Sequence, residues 1–217
     1  MNLTIANLVS KLFHPLLIPI YSLFVILYSF PFHYQYIPDK RWNVTIATII
    51  MMTTVFPALI IYILEKLNLV GDEELSEQKK SILPYLIFFF FYLMAFLTFR
   101  PKAVSSIVFM EDPLIATMLL GATLALATMF FINNFTKVSP HANASANLFM
   151  FSCLLARYTQ KNLFFIIVIA LVMIGLVGSS RLYLKANTKK ELYTGYACGI
   201  LGQVFAFLLY FASYYTK

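Results

Sequence analysis

Residues 163–178 read LFFIIVIALVMIGLVG, a run without one charged or amide side chain, bounded by Lys161-Asn162 on one side and Ser179-Ser180-Arg181 on the other. At 1.5 Å per residue such a run covers about 24 Å of helix, close to the ~30 Å hydrocarbon core of a bilayer once its polar ends reach the headgroups. Lipid offers the backbone no hydrogen-bond partner, so the segment has to satisfy its own N–H and C=O groups, and a helix does so within one segment. The rest of the chain repeats the pattern. Seven candidate spans are read, at about Leu8–Phe30, Val44–Leu64, Ile82–Phe99, Pro113–Ile132, Asn143–Arg157, Leu163–Gly178 and Leu192–Tyr214. The fifth is the weakest, being short and polar at its start.

The composition agrees. Hydrophobic residues make up 61% of the 217, charged residues 12%, and the mean hydropathy is +0.81, against roughly 45–50% apolar and about 25% charged in soluble domains. The expected fold is all-α: a polytopic transmembrane helical bundle forming one integral membrane domain over residues 1–217. It would have about six core helices, over residues 44–214, and one extra N-terminal helix, over residues 8–30. The N-terminus does not present a basic region, an apolar core and a small-residue cleavage site in that order, so the first apolar run is read as a retained span. The expected location is the cytoplasmic membrane of a bacterium. Trp42, Tyr34, Tyr36, Tyr210, Tyr214 and Tyr215 stand where interfacial aromatic belts are expected. Pro15, Pro19 and Pro57 fall inside spans and predict kinks. Gly195 and Gly199 form a small-xxx-small pair that predicts close helix packing.

The net charge of +7 does not point to nucleic acid, because the basic residues are scattered between apolar runs and form no continuous stripe with stacking aromatics. Counting spans puts the N-terminus and the connections 65–81, 133–142 and 179–191 on one membrane face. Nine basic residues fall on that face and seven on the other, which leaves orientation open. Cys153 and Cys198 lie in apolar runs and read as small buried side chains. No His-Glu-x-x-His, clustered carboxylates or spaced Cys pair suggests a metal, and no Gly-rich loop suggests a nucleotide; no cofactor is expected.

Three polar stretches on one face hold the residues that could carry chemistry: Gln78-Lys79-Lys80-Ser81 with Pro84, Lys137-Val138-Ser139-Pro140-His141, and Ser180-Arg181 followed by Lys185, Asn187 and Glu191. Brought together, these cations, hydroxyls and imidazole suit an oxyanion, since Arg binds phosphate bidentately and Lys supplies point charge. Each also has a plainer reading. His141 could cap a helix, Arg181 could snorkel to headgroups, Glu191 could pair with a lysine, and Lys185, Lys189 and Lys190 could anchor the interface. The acidic run Asp72, Glu73, Glu74 and Glu77 reads as a solvated loop. His14 and His33 have no partner nearby in sequence and receive no role.

Over residues 79–202 the chain resembles the type 2 phosphatidic acid phosphatase superfamily of lipid phosphatases. That family carries a Lys followed at a distance by Arg-Pro, a Pro-Ser-Gly-His, and a Ser-Arg with a His six residues after the Arg and an Asp four later. Ser139 and His141 fall on the second signature, Ser180 and Arg181 on the third, and Glu191 on its Asp. Lys79 or Lys80, with Pro84, stands in for the first. The resemblance implies that Lys79, Lys80, Ser139, Ser180 and Arg181 hold phosphate, that His141 is the general acid, and that Glu191 orients the nucleophile. It implies a phosphate or diphosphate lipid as substrate, hydrolysed without a metal. The chain departs from the family where Asn187 occupies the nucleophile position, because an amide has no basic lone pair with which to form a phosphoenzyme. Val138 and Pro140 also replace the family's Pro and Gly. Three readings therefore stay open: a lipid phosphatase, a non-catalytic phospholipid-binding or phosphate-binding membrane protein, and a polytopic protein whose polar stretches are only interface anchors.

Overall fold

The computed structural model describes residues 2–31, 39–67, 82–100 and 112–211, and its elements are helical throughout, with no strand among the described residues. In chain order they are α1 (Leu3–Leu12), a 3-10 turn (Pro15–Leu17), α2 (Ile18–Ser29), α3 (Asp39–Ile50), a π turn (Met51–Val55), α4 (Phe56–Lys66), α5 (Ile82–Phe99), α6 (Pro113–Asn133), α7 (Pro140–Thr159), α8 (Phe164–Tyr183) and α9 (Lys189–Ala206), which ends in a second π turn (Phe207–Phe211). Six stretches are long and apolar enough to cross a membrane: Leu3–Ser29, Arg41–Lys66, Ile82–Phe99, Pro113–Asn133, Phe164–Tyr183 and Lys189–Tyr210. The molecule is a helical membrane bundle.

The fifth expected span is α7, which is not among those six. It lies at the centre of the bundle, packed by α9, α8 and α6. Asn143, Ser145, Asn147 and Ser152 are all buried. A helix walled in by protein can carry polar side chains that lipid would not tolerate, which is why its hydropathy is low.

The close fit of α9 follows from its glycines. A Cβ on Gly195 would stand 2.6 Å from the Ser139 carbonyl oxygen and 2.9 Å from the Ala142 Cβ. On Gly199 it would strike the Asn143 carbonyl oxygen and come within 2.9 Å of the Asn147 nitrogen. On Gly202 it would run into Ala125 of α6, 2.7 Å from that residue's Cβ. Three small residues thus let α9 lie backbone to backbone in the groove between α7 and α6, and Asn147 Nδ2 donates across it to the Gly199 carbonyl at 3.3 Å.

The first expected span, Leu8–Phe30, is broken. α1 ends at Leu12, His14 caps the 3-10 turn through Nδ1, which accepts from Leu16 N at 3.3 Å, and α2 restarts at Ile18. Two prolines enforce this, since neither Pro15 nor Pro19 has an N–H to continue the ladder. Each sits at the start of an element, where that N–H is not needed. Pro57 is accommodated the same way, in the first turn of α4, with the π turn just before it letting Phe56 N–H reach Met51 O. Among the belt aromatics, Tyr210 packs inward, edge-to-face on Phe96 at 5.5 Å. Tyr34, Tyr36, Tyr214 and Tyr215 lie outside the described residues. Cys153 and Cys198 are free thiols, and Cys198 is buried.

Candidate functional site

Three helix termini meet at one end of the bundle. Ser139 is the N-cap of α7 and Thr188 the N-cap of α9; Thr188 forms a capping box in which its hydroxyl accepts from Glu191 N and the Glu191 carboxylate accepts from Thr188 N, both at 3.3 Å. α8 ends in a Schellman turn: Lys185 N–H donates to Leu182 O at 3.0 Å and Ala186 N–H to Arg181 O at 3.1 Å, with Lys185 left-handed at φ 53°. That reversal turns the chain back so that Asn187, six residues after Arg181, returns to it. The α7 and α9 termini are joined directly, Ser139 N–H donating to Glu191 O at 3.1 Å.

The side chains form one chain of hydrogen bonds. Arg181 Nε donates to Asn187 Oδ1 at 2.9 Å, Ser139 Oγ donates to the same oxygen at 3.2 Å, and Asn187 Nδ2 donates to Glu191 Oε2 at 2.7 Å. Arg181 Nη1 donates to Ser10 Oγ at 3.2 Å, and Ser10 Oγ lies 3.5 Å from His141 Nε2. His141 faces His14 edge-on, ring centroids 5.3 Å apart, and its Nδ1 is buried with no hydrogen-bond partner among the described residues.

Of the residues expected at a site, Ser139, His141, Arg181, Asn187 and Glu191 are brought together. Ser180 is not: it is fully buried and its hydroxyl donates to Val177 O at 2.8 Å within α8. Lys79 and Lys80 lie outside the described residues. Lys185, Lys189 and Lys190 are exposed around the cluster. Sequence reasoning missed Ser10 and His14. The signal available was the His14-Pro15 pair interrupting an apolar run, since a break in a span occurs where it lines a cavity or is walled by protein. Among the described residues no group of His, Cys, Asp and Glu could hold a metal ion.

A cavity of about 440 Å³ opens from this cluster, between α2, α5, α6 and α7. His14, Pro15, Pro140 and His141 line it at the polar end, and Tyr92, Met118, Leu119, Leu126 and Met129 are among its apolar wall. Its size is within the ~300–1,000 Å³ of small-molecule sites. Arg181 has five N–H donors, and among the described residues the two bonds above use two of them. A half-buried guanidinium can hold an oxyanion more firmly than the same group in water.

No family model, curated protein or solved structure matches the chain.

Proposed function

We propose that this protein binds the phosphate or diphosphate headgroup of a lipid in a bacterial cytoplasmic membrane, on a lipid-phosphatase-like plan without the covalent step. One observation carries the reading: Arg181, two of whose five N–H donors are engaged among the described residues, shares a hydrogen-bond network with His141, and His141 lines a largely apolar cavity. The headgroup meets Arg181 and the imidazoles while the hydrocarbon enters the cavity. Asn187 supports binding over turnover. Its oxygen takes two hydrogen bonds and its nitrogen donates to Glu191, so it braces Arg181 and offers phosphorus no lone pair.

A second reading, hydrolysis of the same lipid, is favoured by the second imidazole, His14, beside His141. There one ring attacks phosphorus and the other protonates the leaving oxygen. Against it, a neutral His14 accepting Leu16 N–H at Nδ1 carries its proton on Nε2, which makes that nitrogen a donor to phosphate oxygen.

The test uses the purified protein in phosphatidylcholine nanodiscs with a long-chain lipid monophosphate, measuring affinity and inorganic phosphate release together. Binding that falls at least tenfold in Arg181→Ala, with no release by either protein and unchanged circular dichroism, supports the proposal. Arg181-dependent release replaces it with hydrolysis. Affinity indifferent to Arg181→Ala rejects both.

A further inference from the structure

Two of the groups assigned to the headgroup converge on one atom of the protein itself. Arg181 Nη1 donates to Ser10 Oγ at 3.2 Å, and His141 Nε2 stands 3.5 Å from the same oxygen. The hydroxyls of Ser22, Ser29, Ser152 and Ser180 return to their own helices, donating to carbonyls three or four residues back. Ser10 Oγ instead bonds across to α8 and α7. It occupies the point at which a guanidinium and an imidazole would share a phosphate oxygen. His14 and His141 line the cavity, whereas Arg181 is not among its lining residues. The guanidinium therefore joins the imidazole, and through it the cavity, by way of this hydroxyl.

The helix that carries Ser10 is lightly seated. In α1 only Ala6 and Ser10 are buried; Leu3, Ile5, Leu8 and Leu12 are each more than half exposed, and the packing is mainly onto α8. Its C-terminal end is pinned, because Tyr21 Oη donates to Leu12 O at 2.8 Å and Phe13 meets the Tyr21 ring edge-on. Beyond that end the chain leaves helical geometry, with ψ 40° at Phe13 and ψ 139° at His14. Pro15 enforces the extended form of the residue before it. A helix held along its length by two small side chains, and joined to the next by non-helical residues, can swing with little apolar burial lost inside the protein.

We infer that α1 is a movable plug on the oxyanion site, with Ser10 Oγ standing in for a phosphate oxygen until a headgroup displaces it. A charge-assisted bond from guanidinium to an anionic oxygen is about twice as strong as one between neutral groups, so the exchange favours the ligand. Apparent affinity then scales with the fraction of molecules in which α1 has moved off. This rests on the headgroup-binding reading above and adds to it how that site is regulated.

The experiment titrates hexadecyl phosphate into the full-length protein in phosphatidylcholine nanodiscs. Ser10→Ala removes the competing oxygen and should bind about threefold to tenfold more tightly than wild type, the range of one hydrogen bond. Ser10→Asp sets a carboxylate against Arg181 and should bind at least about tenfold more weakly. In wild type, hydrogen exchange of the α1 amides should speed up at saturating lipid, because the plug is displaced. If Ser10→Ala binds equally or more weakly while Arg181→Ala weakens binding, or if α1 exchange in wild type does not rise, the inference is overturned and headgroup binding stands. If wild type binds no better than Arg181→Ala, both fall. The wild-type exchange measurement decides the matter even if Ser10→Ala does not fold.

Discussion

Gly195→Ala tests at once how tightly α9 is seated and whether that seating builds the site. The added methyl would stand 2.6 Å from Ser139 O, 2.9 Å from Ala142 Cβ and 3.2 Å from Asn143 N. Ordinary contact begins near ~3.4 Å, so the Ser139 carbonyl has to retreat by about 0.8 Å, the difference between 3.4 and 2.6. Two of the three obstacles are backbone atoms of the first turn of α7, which cannot rotate aside as a side chain would. Overpacking of this kind costs about 1–3 kcal/mol. The same displacement pulls Ser139 N–H from Glu191 O, now 3.1 Å apart, and Ser139 Oγ from Asn187, now 3.2 Å away. Reversible unfolding in mixed detergent micelles, followed by circular dichroism, should show the stability loss, and lipid-phosphate affinity should fall with it. Gly175→Ala on α8 is the control: nothing lies within 4 Å of its would-be Cβ, so it should gain up to about 1 kcal/mol from helix propensity. If Gly195→Ala is as harmless as Gly175→Ala, the backbone-to-backbone packing of α9 on α7 is refuted.

Gln203 is fully buried in α9, and its amide atoms have no hydrogen-bond partner among the described residues, so Gln203→Met should raise stability by about 1–3 kcal/mol in the same unfolding assay. Lys185 holds the left-handed position of the Schellman turn; Lys185→Gly should stabilise by roughly 1 kcal/mol, read as a higher unfolding midpoint with lipid affinity unchanged. Thr188→Ala removes the hydroxyl that accepts from Glu191 N and should cost about 1 kcal/mol in the same unfolding assay, with lipid-phosphate affinity kept because the backbone N–H of residue 188 and Asn187 Nδ2 still hold the Glu191 carboxylate. Asn187→His puts an imidazole against Glu191 and should bring inorganic phosphate release that Arg181→Ala abolishes; no release from the double-checked, folded variant would separate this pocket from the phosphatase plan.

The helices were legible because their signals are local. Apolar runs of bilayer length and the Gly195-Gly199 pair both act over short stretches of chain. The resemblance placed Ser139, His141, Arg181, Asn187 and Glu191 in one site, and they do converge. Ser180 stands apart because successive helix residues point about 100° apart, so the side chain next to Arg181 is buried in the packing and its hydroxyl turns to its own helix.

The amino-acid sequence alone determined that this chain is a helical membrane protein, since backbone satisfaction in lipid leaves no other use for such runs. Only the tertiary structure decided the rest. It walled in α7, whose polar residues weaken its hydropathy, and broke the first span at His14-Pro15. It then carried Ser10 across 171 residues of sequence to Arg181 and 131 to His141. Contacts that distant leave no periodicity or spacing to read, and a buried donor or acceptor such as Asn143 Oδ1 is recognised only once everything around it is in place.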